Sequence, residues 1–190
     1  MAGKGKLFVV SAPSGAGKTT LIRQVLKQFG TLSYSVSHTT RAPRGNEKNG
    51  LDYFFISVAE FEEKIDKDFW LEWAKVHDNY YGTSRSFVED RLQKGESLLL
   101  DIDVQGAEQI MASGLNPVSI FIMAPSFDVL SRRLKNRGTD SEQVIEKRLE
   151  NAKAETALKD RYQYGVVNDD LDTALKELCS IFKKEMDNER

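Results

Sequence analysis

Two rhythms of hydrophobic and polar positions run along this chain. Short, nearly continuous apolar runs lie at 7–10, 97–100, 118–123 and 164–167. Runs of that kind suit strands covered on both faces, because a strand with one wet face would alternate. Between them, apolar residues recur at three- and four-residue spacing, the stripe of an amphipathic helix. Such stretches are expected at 18–29, 86–94, 104–112, 127–136, 141–158 and 170–186; in the first, Leu21, Ile22, Val25, Leu26 and Phe29 form the stripe. Ser86 with Glu89, and Thr139 with Glu142, have the spacing of a capping box and mark expected helix starts. Strand alternating with helix predicts an α/β class core, a doubly wound parallel sheet with right-handed crossovers.

Residues 33–83 interrupt that rhythm. They carry strand-like pieces at 34–37, 53–56 and 69–76, a short helix near 58–66, and a loop at 43–50 rich in Gly, Asn and charge. The expectation is a small, mostly β lobe at 33–83 outside the parallel core. A helical pair at 127–158, joined at Arg137-Gly138-Thr139, is the second expected insertion. The core then comprises 5–32, 84–126 and 159–190, all within one domain over 1–190.

Composition narrows the field only modestly. The 190 residues carry 27 Lys and Arg against 29 Asp and Glu, a net charge of −2. No global basic field favours nucleic acid, so any polyanion must be held by local cations. One cysteine, Cys179, excludes an internal disulfide and fits a reducing compartment; its place in a helical stripe predicts a buried, inert thiol. No run is long enough to span a membrane, and no leader is expected ahead of the first apolar run. A cytoplasmic protein with no membrane and no nucleic-acid partner is expected, and a homo-oligomer is left open.

The densest chemistry follows the first apolar run. Residues 11–20 read Ser-Ala-Pro-Ser-Gly-Ala-Gly-Lys-Thr-Thr. Gly15 and Gly17 permit a tight loop whose N–H groups point inward, and a helix beginning near Gly17 adds unpaired N–H groups and its positive end. The nucleoside-triphosphate cradle so formed comprises Ala12, Pro13, Ser14, Gly15, Ala16, Gly17, Lys18, Thr19 and Thr20. Lys18 is placed to reach the β/γ-phosphates and Thr19 to ligate Mg²⁺. Ala12 stands where the phosphate-loop pattern has its first glycine, which is tolerable if its φ is negative. Asp101, at the carboxyl end of an expected core strand, is a water-mediated partner for the metal or a strand-ending turn residue.

Other constellations are weaker alone. Arg41 and Arg44 form either a phosphate clamp or a solvated basic turn. Glu72 lies within Phe69-Trp70-Leu71-Glu72-Trp73-Ala74, where a carboxylate needs a partner. Residues 79–84 offer phenol and hydroxyl donors on an expected tight turn. Arg133 and Arg137 share a helix face, with Arg148 on the next helix. His38 and His77 are read as surface or structural.

In chain order, several motifs recur together: the phosphate loop; Ser37-x-Thr39-Thr40-Arg41-x-Pro43-Arg44-x-x-Glu47; Gly50-x-Asp52-Tyr53; Glu72-Trp73-Ala74; Asn79-Tyr80-Tyr81-Gly82-Thr83; Asp101-Ile102-Asp103-x-Gln105-Gly106; and Arg133-x-x-x-Arg137-Gly138-Thr139. The set covers nearly the whole chain and resembles guanylate kinase, within the P-loop NTPase fold. The resemblance implies a Mg²⁺-dependent transfer of the γ-phosphoryl of ATP to GMP, and to dGMP, in purine nucleotide metabolism. It makes 33–83 a GMP-binding lobe and 127–158 a helical lid, two lobes that close over both substrates.

By the same resemblance, Arg41, Arg44, Tyr53 and Tyr81 would bind the GMP phosphate, and Glu47 and Gly82 belong to the GMP site. Glu72, Ser37, Thr83 and Asp103 would read guanine. Arg133, Arg137 and Arg148 would be lid arginines that act with Lys18 and Arg41 in catalysis, and Asn168 would lie near adenine. Asp78 stands where the family often has glycine. The chemistry of the base agrees: guanine presents N1–H and N2–H₂ side by side, which suits one carboxylate accepting twice, whereas adenine offers a lone pair at N1. No general base is required, since the attacking phosphate oxygen is largely ionised with a second pKa of about 6. The alternatives are a kinase for another nucleoside monophosphate and a non-catalytic interaction module of the same fold. Glu72 and Thr83 argue against the first, intact Lys18 and Thr19 against the second.

Overall fold

A computed structural model of the chain describes residues 5–76, 78–136 and 141–187. It divides into two compact units, Met1–Val9 with Thr31–Pro117 and Val10–Gly30 with Val118–Arg190. The expected apolar runs all become strands: β1 (Leu7–Ser11), β7 (Ser97–Asp101), β8 (Val118–Met123) and β9 (Tyr164–Val167). Every residue of β1 is buried, as a run with no polar alternation requires.

In the first unit the parallel sheet gains a strand that the pattern hid. Residues Leu32–Tyr34 form β2, paired in parallel with β7 through Ser33↔Leu98 and Tyr34↔Leu99, in the order β2-β7-β1. The boundary expected at 33 therefore falls inside a core strand. Two helices accompany these strands, α3 (Arg85–Gln93) and α4 (Val104–Ala112). The cap of α3 is Ser84, whose hydroxyl accepts from the Phe87 N–H; the helix starts ahead of the expected Ser86–Glu89 box.

The same unit holds a second sheet of four strands in the order β4-β3-β6-β5. These are β3 (His38–Thr39), β4 (Phe54–Phe55), β5 (Trp70–Val76) and β6 (Asn79–Ser84). The stretch 79–84, expected as a turn, is thus a strand antiparallel to β5. Asp78 in the connecting turn has φ 66°, the left-handed region in which glycine is at home and aspartate is tolerated. Helix α2 (Val58–Asp66), capped by Ser57, lays Phe61 against this sheet. Phe61 is wholly buried between the stacked rings of Trp70 at 4.2 Å and Tyr80 at 5.0 Å. Truncating such a ring to alanine costs about 3–5 kcal/mol. His38 is enclosed by Phe54, Phe69 and Trp70, and burial, with Lys64 adding, lowers its pKa to about 4. It is a neutral structural ring, as expected; His77 lies outside the described residues.

In the second unit the sheet order is β1-β8-β9, with β8 and β9 parallel from Ile120↔Tyr164 to Met123↔Val167. Helix α1 (Lys18–Gln28) buries Leu21, Ile22 and Val25, and the long α7 (Leu171–Asp187) packs beside it. Helices α5 (Phe127–Lys135) and α6 (Glu142–Thr156) form the expected helical pair. Their junction, with Arg137 and the expected Thr139 cap, lies outside the described residues. Cys179 is half-buried rather than buried, with its Sγ 3.2 Å from Gln28 Oε1. Among the described residues no helix is long and apolar enough to cross a membrane.

Candidate active site

The second unit carries a cradle made almost wholly of main chain. β1 ends at Ser11 and α1 begins at Lys18, so residues 12–17 must reverse direction within one short loop. Gly15 and Gly17 take φ 93° and 94°, values strained for any side chain. Ala12 keeps a negative φ, so its methyl group is no obstacle. Gly17 is the N-cap of α1, and neither a capping side chain nor an acidic residue occupies that first turn. The first N–H groups of the helix therefore face an anion site with the positive end of the helix behind them. Lys18 and Thr19 open the helix, with Thr19 and Thr20 exposed.

Beside the glycines is a cavity of about 440 Å³, lined by Gly15, Gly17, Thr20, Arg133, Asn136, Asn168, Asp169 and Leu171. One nitrogen of the Arg133 guanidinium, Nη1, is buried there without a hydrogen-bond partner, while Nη2 lies 3.4 Å from the Asp169 carbonyl. A cation with an unmet donor beside a phosphate-type loop fits an anionic ligand. Asn168 lines the same cavity, but its amide is engaged: Nδ2 donates to the Ala16 carbonyl at 2.7 Å. That amide would lie 2.2 Å from any Cβ placed at Gly17. The structure thus gives Asn168 a loop-tethering contact that the sequence reading, which put it near adenine, did not contain. Arg148 is half-buried on α6.

In the first unit the constellation is made of side chains. Arg41 is 8% exposed; its Nη1 donates to the Ala42 carbonyl and its Nη2 to Glu47 Oε1 at 2.9 Å. Glu47 Oε2 accepts from the Arg44 N–H at 2.8 Å, so one carboxylate holds the Arg41 side chain and the Arg44 main chain. The Arg41 guanidinium holds Glu47 below the usual carboxylate range. Thr39 fixes the start of the loop, accepting from the Arg41 N–H and donating to the Tyr80 carbonyl. The Arg41 guanidinium lies 5.3 Å from the centre of the Tyr53 ring, and Tyr53 meets Tyr81 edge-on at 6.1 Å. Burial, then the charge of Asp101 and the neighbouring Tyr81, raises the Tyr53 pKa, leaving a neutral phenol able to donate. The Arg44 side chain is exposed.

Tyr81 and Thr83 alternate with Gly82 on β6 and so share a face. Opposite Thr83 in the ladder stands Glu72 on β5, 4% exposed, accepting from the Thr83 hydroxyl at 2.5 Å. Burial raises the Glu72 pKa to about 7; Thr83 opposes the shift and the nearby Asp103 carboxylate adds to it. Asp103 is also the N-cap of α4, accepting from the Gly106 N–H at 2.9 Å. Ser37 precedes β3 and is half-buried; its carbonyl accepts from Phe54 and so aligns β4. Gly82 belongs to the other face: a Cβ there would meet Phe61 at 2.9 Å and Trp70 at 3.0 Å, which makes it a packing position.

The first unit therefore brings Arg41, Glu47, Tyr53 and Tyr81 into one cluster and Glu72, Thr83 and Asp103 into another. Asp101 ends β7, half-buried. Sequence reasoning gave no role to Gly106 or Gln109, which touch the surroundings of Glu72; a glycine in the first turn of a helix was the available signal.

Comparisons with known proteins agree on one family. A family model described as Guanylate kinase matches residues 4–185. The chain is 50% identical over 184 residues to the guanylate kinase of Photorhabdus laumondii, covering 96% of this chain and 89% of the relative. To the guanylate kinase of Thermotoga maritima it is 46% identical over 182 residues, covering 96% and 88%. A crystal structure of guanylate kinase from Anaplasma phagocytophilum superimposes with a TM-score of 0.78 at 34% identity, over 96% of this chain and 86% of that one.

Proposed function

This chain belongs to the guanylate kinase family, and from that premise we propose how its residues carry the γ-phosphoryl group of ATP to GMP. The products are ADP and GDP. The loop from Ala12 to Thr20 receives the ATP phosphates on its main-chain N–H groups, with Lys18 on the β/γ oxygens. Arg133, with its unmet Nη1, neutralises phosphate charge in the same cavity. Arg137 and Arg148 complete the lid set. Asn168 holds the loop in shape through Ala16.

The acceptor is held at two points. Arg41 and Arg44 clamp the GMP phosphate, with the phenols of Tyr53 and Tyr81 as further donors. Glu47 keeps Arg41 aimed rather than touching an anion itself. Glu72 accepts from guanine N1–H and N2–H₂, while Ser37, Thr83 and Asp103 complete the pocket. Because only the ionised carboxylate accepts both bonds, GMP binding draws Glu72 into its charged form. A site built on such buried bonds rejects a base lacking them by a factor on the order of 10⁴. The 2′-position of the ribose has no part in this reading, so dGMP is a substrate too.

Thr19 would hold Mg²⁺ by its hydroxyl. Hydroxyl, carboxylate and phosphate oxygens are the donors this hard cation prefers. When bound, the ion supplies charge neutralisation on the β- and γ-phosphate oxygens. The GMP oxygen attacks in line, needing no general base, and the reaction requires that water be kept from the γ-phosphate. ATP and GMP are the only partners in this reading, in purine nucleotide metabolism of the cytoplasm.

The observation that carries the acceptor assignment is the buried Glu72–Thr83 pair, a carboxylate at 4% exposure with a hydroxyl on one oxygen. A coupled ADP-release assay with GMP, AMP, CMP and UMP tests it. Turnover with GMP alone is expected; equal rates with all four would refute guanine selectivity.

A further inference from the structure

At intervals of three residues, Asp103 at the cap of α4, then Gly106 and Gln109 within it, lie on the side of the helix that meets β5 and Glu72. Gly106 is the third residue of α4, in its first turn, where glycine still has backbone freedom that alanine lacks. Its φ is not positive, so no backbone conformation demands it. Space does. A Cβ on Gly106 would lie 2.3 Å from Glu72 Oε2 and 3.0 Å from Glu72 Cδ. The other carboxylate oxygen, Oε1, is held by Thr83.

Gln109 acts on the next residue of β5. Its Nε2 donates to the Trp73 carbonyl at 2.7 Å, and its Oε1 accepts from the Trp73 N–H at 3.2 Å. β5 is the end strand of its sheet, so its outer edge has no neighbouring strand. The carboxamide stands in for that strand and pins the main chain beside Glu72.

We propose that Gly106 is a specificity-determining position, whose missing side chain reserves the place in which Glu72 reads guanine, and that Gln109 is a positioning residue for the strand carrying Glu72. The inference rests on the assignment of Glu72 to guanine made above. Its logic is that an added methyl group meets the far end of a flexible side chain. The fold relieves that clash by swinging the Glu72 carboxylate aside, at little cost to stability. The position of that carboxylate is what selects the base.

The experiment compares Gly106→Ala, Gln109→Leu and Glu72→Gln with the parent. The readouts are melting temperature, KM for ATP, and kcat/KM for GMP and for inosine monophosphate, which lacks the 2-amino group. Gly106→Ala is expected to melt no lower than the parent, because alanine favours the helix. Its KM for ATP stays within about twofold while its KM for GMP rises on the order of 10- to 100-fold, as for a displaced binding group. Its preference for GMP over inosine monophosphate shrinks. Gln109→Leu keeps bulk but loses both hydrogen bonds, and follows in the same direction more weakly. If Glu72→Gln loses the GMP preference and Gly106→Ala keeps it, the role of Gly106 is overturned while the reading of Glu72 stands. If Glu72→Gln itself keeps the preference, that reading fails and this inference with it. A variant at Gly106 that melts lower and weakens ATP and GMP alike also overturns the proposal, since it shows a merely structural glycine.

Discussion

On the proposed reading, the donor and acceptor regions would bind phosphate-bearing ligands by opposite means. In the donor region the recognising atoms would be main-chain N–H groups, shaped by two glycines at φ 93° and 94° and by a helix start with no side-chain cap. In the acceptor region they would be side chains held in place by other side chains, Arg41 by Glu47 and Glu72 by Thr83, with Gly106 leaving room beside Glu72. A triphosphate needs only charge and donors, which a backbone supplies without reference to the base. A nucleobase needs a patterned set of donors and acceptors, and only buried side chains supply that. Burying them perturbs their chemistry, so the raised carboxylate pKa sits on the acceptor side, at Glu72.

Lys18→Ala tests the donor half most severely. It is expected to lower kcat on the order of 10²–10³-fold, the scale of losing one charge-stabilising group, while the KM for GMP changes little. A large change in GMP KM instead would erase the division between the two halves. Arg41→Ala is the counterpart on the acceptor side. It should raise the KM for GMP on the order of tenfold to 100-fold and leave the KM for ATP nearly unchanged, since it removes one charged phosphate ligand worth about 1.5–3 kcal/mol.

A pH series sharpens the contrast. Glu72 must be ionised to accept from guanine, and its pKa is raised to about 7, so GMP affinity falls as pH drops below 7, approaching about tenfold per unit. Glu72→Gln should lose the component near 7 and keep the one near 6 that belongs to the GMP phosphate itself. Stability moves the other way. A carboxyl whose folded pKa lies above its ordinary 4.5 stabilises the fold below 4.5, and that contribution is lost as pH rises through about 7. Without GMP, Glu72→Gln is therefore expected to melt above the parent at pH 8, and a lower melting temperature there would show that the carboxylate is not strained by burial. The smallest effect is expected from Asn168→Ala. Loss of its bond to Ala16 should raise the KM for ATP a few-fold, about 1 kcal/mol for one hydrogen bond, with no change for GMP.

The same contrast explains what could be read along the chain. The donor cradle lies within ten consecutive residues after an apolar run, so local pattern contains nearly all of it. The core strands at 7, 97, 118 and 164 are equally legible because each is a continuous apolar run. β2 was hidden because Leu32–Tyr34 is a three-residue edge strand with one fully buried position. β6 was hidden because Asn79, Gly82 and Ser84 have turn composition, and only pairing with β3 and β5, with Tyr80 stacked on Phe61, makes the stretch a strand. The cap of α3 was misplaced by two residues because Ser84 and Ser86 are both eligible and tertiary context selects between them. The meeting of Glu72 with Thr83, eleven residues apart, followed from family resemblance; local spacing does not contain it. Gly106 and Gln109 went unassigned because their partners, Glu72 and Trp73, come from a different element.

The central claim is that a single buried carboxylate gives the acceptor half its base specificity while the donor half is indifferent to it. Measuring kcat/KM for GMP and for AMP in the parent and in Glu72→Gln, at saturating ATP and Mg²⁺, tests it most directly. The expected result is a parent preference for GMP on the order of 10⁴ that falls by about 100-fold or more in the variant, with the KM for ATP unchanged. A variant that keeps the parent's preference would contradict the account.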